Sequence, residues 1–234
     1  MISRRYLAAL SIAALAWAAG APAFVTAALA QSGSDAGQAR GRLLRSTDDD
    51  TVGWLVLERM GVEAPIDRWA QAMVRVGTDG VTEFNYAEHL RAAKAGIERT
   101  RDGARGYDRM RLTLNSRLSE YDATYEEFYL NAFSPSMFVT YRPFSRRKPN
   151  PLEGGVKLIF TNADDAFVLS VPPVEAEALV GRLGPGRQLT VDIEVTIEEV
   201  NATRAGAEIL ASIDRYSLLS GSGNARALKK VTLN

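Results

Sequence analysis

The chain has 234 residues, 28 basic and 28 acidic side chains, no cysteine and a single histidine, His89. The absence of cysteine excludes disulfides, thiol nucleophiles, iron–sulfur clusters and thiolate metal sites. One histidine excludes a zinc site built from two or three histidines, and the balanced charge gives no overall field that would attract nucleic acid. Any catalysis would therefore depend on carboxylates, lysine, tyrosine or serine.

Residues 1–30 have the three-part pattern of a cleaved secretory signal. Arg4 and Arg5 form a basic start, an apolar run covers 6–19, and an Ala-Leu-Ala exit occupies 28–30. The apolar run is shorter than the roughly 20 residues of a membrane span. We therefore expect export to the periplasm or the medium and no transmembrane segment after cleavage. An uncleaved membrane anchor is the alternative.

A short polar leader is predicted after the signal. Residues 31–48 are small and polar, which favours a flexible segment. The leader ends in a run of three aspartates, Asp48-Asp49-Asp50. Because carboxylates favour the N-terminus of a helix, this run predicts a helix cap, with a calcium ligand cluster as the alternative.

The segment 49–106 is predicted to be helical. Apolar side chains recur at helical spacing over three stretches, 51–61, 65–75 and 86–99. Each stretch has polar residues on its opposite side, so we expect three amphipathic helices that pack on the rest of the domain.

From residue 107 onward the apolar period changes from near 3.6 to 2, which predicts strands. The clearest strand covers 189–200. Its inward-facing residues are Leu189, Val191, Ile193, Val195 and Ile197. Its polar residues, expected to face solvent, are Thr190, Asp192, Glu194, Thr196 and Glu198. Residues 156–161 and 166–171 flank a four-residue turn and predict a β-hairpin.

The last predicted strand changes parity along its length. Ile209 and Ile213 share one parity, whereas Tyr216 and Leu218 have the other. An extra residue between the two pairs would restore a common face, so the pattern predicts a β-bulge. The glycine-rich residues that follow predict a loose tail over 221–234.

A helix is predicted between the strands, over 173–183. Pro173 suits a first helical position, and Gly184 suits the end of the helix. The order strand, strand, helix, strand, strand over 108–219 resembles that of an OB-type barrel. We therefore expect an α+β fold, with an N-terminal helical segment packed on an antiparallel, OB-like, partly closed β-barrel over 107–220.

A second resemblance rests on two short segments. Residues 118–122, Leu-Ser-Glu-Tyr-Asp, run toward Tyr-Glu-Glu-Phe-Tyr-Leu at 125–130. This stretch resembles part of a family of secreted bacterial proteins that is classed as a domain of unknown function, and the similarity extends through 173–197. The resemblance implies an exported bacterial domain, and it implies no activity, cofactor or site residue.

The strongest candidate for ligand binding is a basic loop after residue 141. Guanidinium groups beside aromatic rings suit phosphates, nucleobases or acidic polysaccharide. Prolines in the same loop indicate irregular structure, so a solvated loop is the alternative. The candidate binding residues are Tyr141, Arg142, Phe144, Arg146, Arg147 and Lys148.

Carboxylates offer a second kind of chemistry. Asp122, Glu126 and Glu127 lie near Tyr121 in the sequence. Two carboxylates about 5 to 9.5 Å apart across a cleft can hydrolyse a glycoside. A solvated strand edge is the alternative.

His89 is a candidate catalytic base, and a structural or surface residue is the alternative. A catalytic base would need a nucleophile and an orienting carboxylate, whereas a structural or surface residue needs no further partners.

These observations predict an exported, non-enzymatic binding or interaction domain without a metal or cofactor. The expected partner is an envelope protein or an anionic component of the envelope, and nucleic acid is not an expected partner. Two alternatives stay open. One is a carboxylate-dependent hydrolase acting on envelope glycans, and the other is a basic-loop module that binds anionic lipid headgroups.

Overall fold

The structure is a computed structural model that describes residues 41–221 and 226–233. The predicted signal, 1–30, and most of the predicted leader lie outside these residues. The end of the leader is not simply flexible, because it contains a short strand, β1 (Arg42–Leu44). This strand pairs in parallel with β2 (Tyr107–Arg117).

The three predicted helices are confirmed. They are α1 (Asp49–Met60), α2 (Ile66–Met73) and α3 (Tyr86–Gly103). The aspartate run starts α1, because the Asp48 side chain accepts a hydrogen bond from the Thr51 N–H at 3.0 Å. Carboxylates at this end of the helix also stabilise its partial positive charge.

Most of the remaining chain forms strands. Beyond β2 they are β3 (Glu127–Tyr129), β4 (Phe138–Tyr141), β5 (Val156–Phe160), β6 (Val168–Ser170), β7 (Gln188–Ala202), β8 (Ala207–Ser220) and β9 (Arg226–Thr232). The predicted tail is therefore wrong in part, since β9 pairs with β8. Two short helices are α4 (Ala163–Phe167) and α5 (Pro173–Leu183), and the second confirms the predicted helix.

Seven strands form one mixed sheet in the order β1-β2-β7-β8-β5-β4, with β9 also paired to β8. The pairs β1–β2 and β5–β8 are parallel, and the other pairs are antiparallel. Among the described strands no pairing joins β4 to β1, so no closed barrel is found. The α+β class is confirmed, whereas the OB-like barrel is not.

The predicted hairpin between 156–161 and 166–171 is wrong. Strand β5 lies between β4 and β8, and β6 pairs with β3 in a separate two-stranded sheet. The reason lies at the predicted turn. The Asn162 side chain donates to the Ile213 carbonyl at 3.1 Å and accepts from the Ile213 N–H at 2.7 Å. These bonds tie the start of α4 to β8, so the chain does not reverse beside β5.

The alternation along β7 is confirmed, because all five of its predicted inward residues are buried. The parity change in β8 is a β-bulge. Glu194 pairs with Arg215 and Val195 pairs with Ile213, which leaves Asp214 as the extra residue. Asp214 and Arg215 consequently lie together on the polar face of the sheet.

That polar face is held by ion pairs between strands. Arg109 on β2 contacts both Glu194 at 2.9 Å and Asp214 at 3.0 Å. Arg111 donates from Nε to Asp192 at 2.8 Å. The Asp192 and Glu194 side chains are only 16% and 13% exposed, so the prediction that they face solvent is wrong for these two residues. The bridging arginines cover them.

Candidate functional site

The basic loop begins where β4 ends, and its two aromatic residues belong to the core. Tyr141 is 6% exposed and Phe144 is 1% exposed. Burial raises the pKa of Tyr141 to about 12, although its hydrogen bond with Thr47 acts in the opposite direction. Neither ring offers a free face, so the predicted stacking of a ligand on these aromatics has no surface to use.

Phe144 instead completes a cluster with two tryptophans, which we call the aromatic cluster (Trp54, Trp69 and Phe144). The ring centroids of Trp54 and Trp69 lie 5.7 Å apart, and Phe144 lies 4.9 Å from each. Gly53 on α1 permits this approach. A Cβ atom there would meet Pro143 Cβ at 2.4 Å and two Phe144 ring atoms at 2.9 Å.

Polar contacts hold the loop against the helices. The Phe144 N–H donates to Asp50 Oδ1 at 2.8 Å, at the start of α1. The Trp69 indole N–H donates to the Pro149 carbonyl at 2.8 Å, and the Asn150 amide donates to the Phe144 carbonyl at 3.3 Å. The loop is therefore fixed at both ends to α1 and α2.

Of the predicted basic residues, Arg147 is the one at the aromatic cluster. Its Cζ lies 5.1 Å from the centre of the Trp69 ring and 5.6 Å from that of Phe144, which are cation–π distances. Its Nη2 lies 3.5 Å from Asp50 Oδ2. Asp50 thus joins the loop to α1 through both a backbone amide and a guanidinium.

The other three basic residues lie nearer to solvent. Lys148 forms an ion pair with Glu153, and this hydrogen bond lowers the pKa of the Glu153 carboxyl. Arg142 and Arg146 are exposed, and neither has an ion-pair partner within 41–221 or 226–233. Tyr141 and Lys148 are therefore separate from the other four predicted residues, which line a single depression.

A depression of about 510 Å³ lies beside the loop, and we call it the loop depression. Its lining residues are Asp48, Asp49, Asp50, Arg142, Phe144, Ser145, Arg146 and Arg147. Three carboxylates share it with three guanidinium groups. The formal charges that line the depression therefore sum to zero.

A larger cavity of about 760 Å³ lies among the three N-terminal helices, and we call it the helical pocket. Trp54 and Leu57, each 2% exposed, supply apolar lining from α1, and Ile66 supplies more from α2. Lys94 on α3 donates to Asp67 on α2 at 2.7 Å, and this hydrogen bond raises the pKa of Lys94. The size is typical of a small-molecule site.

Sequence reasoning missed the helical pocket. Its signal was a charged stripe on α3, in which Lys94, Glu98 and Arg101 recur at i, i+4 and i+7. Such a stripe is usually an ordinary solvated face. The stripe forms a pocket wall only because α1 and α2 lie beside α3. The sequence of α3 alone does not indicate where those two helices lie.

Two buried nitrogen atoms at the aromatic cluster have no hydrogen-bond partner among the described residues. Within the described residues, Trp54 Nε1 and Arg147 Nη1 are the buried side-chain nitrogen or oxygen atoms without a hydrogen-bond partner. An unsatisfied buried donor costs about 1–3 kcal/mol, so native proteins keep few of them. Both donors occur at the aromatic cluster. Trp54 also lines the helical pocket and Arg147 lines the loop depression.

The carboxylates near Tyr121 stabilise a turn. Asp122 Oδ1 accepts hydrogen bonds from the Thr124 N–H at 2.8 Å and the Tyr125 N–H at 3.2 Å. Glu127 accepts from the Tyr129 hydroxyl at 2.7 Å. Asp122 and Glu127 are thus engaged in local structure, whereas Glu126, the third candidate, is exposed to solvent.

Neither a metal-binding cluster nor a membrane-spanning helix is found within 41–221 and 226–233. The described part of the chain has no group of three or more histidine, cysteine or acidic side chains placed to hold a metal ion, and this includes the aspartate run. No helix in that same part is both long and apolar enough to cross a membrane. His89 is half-buried on α3.

Comparison with known proteins adds no family. No protein-family model, curated protein or solved structure matches this chain. The resemblance of residues 118–130 to a family of secreted bacterial proteins therefore stays a prediction.

Proposed function

We propose that this chain is an exported, non-enzymatic binding domain whose ligand site surrounds the aromatic cluster. The observation that carries the proposal is the position of Trp54 Nε1 and Arg147 Nη1, two buried donors without acceptors at one cluster. Both nitrogens are buried, so a ligand acceptor would satisfy them only after neighbouring side chains move.

The hydrogen bonds that Asp122 and Glu127 accept favour binding over hydrolysis as the function. Asp122 and Glu127, which a glycan hydrolase would need free, accept hydrogen bonds from their own turn and from Tyr129. The helical pocket instead combines apolar lining with charges of both signs. Those are the features that fix and orient a small ligand.

The mature chain offers a direct optical test of binding. The sequence has three tryptophans, and Trp17 would leave with the signal, so Trp54 and Trp69 would carry all tryptophan emission. Inorganic phosphate, citrate, N-acetylglucosamine and leucyl-leucine are suitable probes. We expect at least one of them to change the emission saturably and to raise the melting temperature. If no probe did either up to about 10 mM, the proposal would be wrong.

Export is the second part of the proposal, and it rests on the pattern of residues 1–30. N-terminal sequencing of protein recovered from the periplasm or the medium should begin within a few residues of Gln31. Recovery of full-length protein from the cytosol alone would contradict it.

A basic-loop module for anionic lipid headgroups is the second candidate function. It is favoured by Arg142 and Arg146, which are exposed and have no ion-pair partner in the described part of the chain. The double change Arg142→Gln and Arg146→Gln should abolish salt-sensitive cosedimentation with anionic vesicles. Lys148→Gln is the control, since Lys148 is already paired with Glu153. Vesicle binding unchanged by the double substitution would exclude this candidate.

A further inference from the structure

Three arginines lie at one end of the large sheet. Arg117 ends β2 and pairs with Gln188, which begins β7. Arg226 begins β9 and pairs with Ser220, which ends β8. Because β7 and β8 are antiparallel, the start of β7 lies beside the end of β8. Arg182, in the last turn of α5, lines a depression with Arg226 and so reaches the same end. We call this region the sheet end (Arg117, Arg182, Gln188, Ser220 and Arg226).

Two depressions lie at the sheet end. The first, of about 640 Å³, is lined by amide and hydroxyl side chains and by one charged side chain, that of Arg117. The amides and hydroxyls belong to Asn115, Ser116, Asn131, Gln188 and Thr190. The second, of about 430 Å³, is lined by Arg182, Arg226 and Ser220, with apolar surface from β9. No acidic side chain of the described residues lines either depression.

The sheet end therefore has positive charge that the two linings do not compensate. Together they carry three positive charges, whereas the formal charges that line the helical pocket and the loop depression each sum to zero. All three arginines are exposed, and none has an ion-pair partner within 41–221 or 226–233. The sequence between β8 and β9, Ser-Gly-Asn-Ala at 222–225, adds no acid.

Neighbouring charges do not remove this excess. Glu120 and Glu177 are the acids nearest in the chain to the arginines of β2 and α5, and they line neither depression. Arg187, directly before β7, adds a fourth guanidinium. Four guanidinium groups against two carboxylates leave an excess of two positive charges at this end of the sheet.

The arrangement of these groups indicates the class of ligand. The positive charge is divided between two depressions, so a ligand with several acidic groups matches it better than a single small anion does. Guanidinium groups bind carboxylates through paired hydrogen bonds. The amides and hydroxyls of the first depression can bind the hydroxyls of a sugar. Among the described residues, neither lining includes an aromatic ring on which a nucleobase would stack.

We propose that the sheet end binds an acidic polysaccharide. Its carboxylates pair with Arg182 and Arg226 in one depression and with Arg117 in the other. Its hydroxyls bind the amides and hydroxyls of the first depression. The sheet end shares no residue with the aromatic cluster or the lining of the helical pocket, so this inference goes beyond the ligand site proposed above.

The first test uses labelled polygalacturonate as the probe and labelled dextran, a neutral polysaccharide, as its control. Fluorescence anisotropy measures the binding of each to the mature protein. We expect polygalacturonate to bind saturably and dextran not to bind, and we expect added salt to weaken binding because it screens exposed charges. The single sugar galacturonate should bind at least about tenfold more weakly, because it cannot occupy both depressions at once. No binding of polygalacturonate, or equal binding of dextran, would overturn the inference.

The second test compares two double variants. Arg182→Gln with Arg226→Gln should weaken polygalacturonate about tenfold, the effect of losing two exposed ion pairs. Arg91→Gln with Arg99→Gln is the matched control, because it removes the same charge from an exposed part of α3 outside both depressions. The control should leave the affinity unchanged. Equal weakening by the two double variants would indicate a general charge effect and overturn the assignment.

The first depression has its own matched pair. Arg117→Gln should weaken polygalacturonate about threefold and reduce the dependence of binding on salt. Gln188→Leu should also weaken binding, but it should leave the salt dependence unchanged because it removes no charge. An affinity that neither substitution changed would show that the ligand does not reach β2, and the inference would be wrong.

Other anions distinguish the class of ligand. If anionic vesicles or a single-stranded oligonucleotide bound more tightly than polygalacturonate, and the Arg182→Gln, Arg226→Gln variant lost that binding, the polysaccharide class would be wrong. The proposed ligand site is tested separately, by tryptophan emission, and the sheet-end variants should leave that response unchanged. Each proposal can therefore fail while the other stands.

Discussion

Arg109 on β2 donates to Glu194 on β7 through Nη2 at 2.9 Å, on the sheet face that carries the polar residues. The same guanidinium donates from Nε to Asp214 on β8 at 3.1 Å. Asp214 is available because the β8 bulge adds one residue and places it on this face. One buried side chain, 8% exposed, therefore links three neighbouring strands.

Arg109→Leu should lower the free energy of unfolding by about 3 kcal/mol, because it leaves two partly buried carboxylates with fewer partners. Arg111→Leu is the matched control on the same strand. The Arg111 side chain is 41% exposed, so its loss should cost no more than about 1 kcal/mol. Urea unfolding of both variants measures the difference, and equal costs would show that burial of Arg109 does not matter.

Gly53→Ala should destabilise the protein although it replaces glycine inside a helix. The new Cβ would meet Pro143 at 2.4 Å and force the loop away from α1, at a cost of about 1–3 kcal/mol. Gly96→Ala on α3 should do the opposite, with a gain of about 0.5–1 kcal/mol, because the nearest atom to its Cβ is Arg99 Nη2 at 4.0 Å. Thermal unfolding compares the two, and a shared sign would contradict the close contact of Gly53 with Pro143 and Phe144.

Stability should depend on pH through Asp48. Burial acts to raise the pKa of Asp48, but its hydrogen bonds with Thr51 and Ser46 outweigh this and lower the pKa below 3.8. A depressed pKa means that the ionised carboxylate stabilises the folded state above pH 3.8, and that this contribution is lost as pH falls through the folded value.

Asp48→Ala should accordingly cost about 1 kcal/mol at neutral pH, the usual value of an N-cap, and less well below pH 3.8. Urea unfolding of wild type and variant at both pH values tests this. A difference between them that did not change with pH would show that the charge on Asp48 contributes nothing.

Adjacent residues of β7 should respond very differently to substitution. Ile193 is 0% exposed, so Ile193→Asp would bury an unpaired charge at a cost of several kcal/mol and should unfold the domain. Asp192→Ser removes the ion pair with the partly exposed Arg111 and should cost less than about 1 kcal/mol. Circular dichroism and urea unfolding distinguish the two, and similar behaviour would contradict the strand's orientation.

Local sequence patterns predicted the elements whose form depends on residues close together in the sequence. The alternation over 189–200 predicted β7, since burial of every second residue is a property of a single strand. The parity change between Ile213 and Tyr216 predicted the bulge for the same reason. The strand at 168–170 was found, but its partner was wrong, because the choice of β3 over β5 depends on contacts distant in sequence.

The candidate site was only partly predictable. Composition indicates the basic loop, yet Tyr141 and Phe144, which it suggests as ligand-binding residues, are core residues. Nothing near Phe144 in the chain indicates that Trp54 and Trp69 will pack on it. That contact also requires Gly53, whose missing side chain matters only once the loop has closed on α1.

By itself, the sequence determined the helices of the N-terminal segment, the faces of β7 and β8, the cap at Asp48 and the exclusion of thiol and multi-histidine chemistry. These follow from periodicity, capping and composition, which act over a few residues. Only the tertiary structure decided the strand order, the Arg109 link and the meeting of Trp54 with Arg147 around one aromatic cluster. Those depend on packing between segments far apart in the chain, where many alternative pairings satisfy the same local pattern.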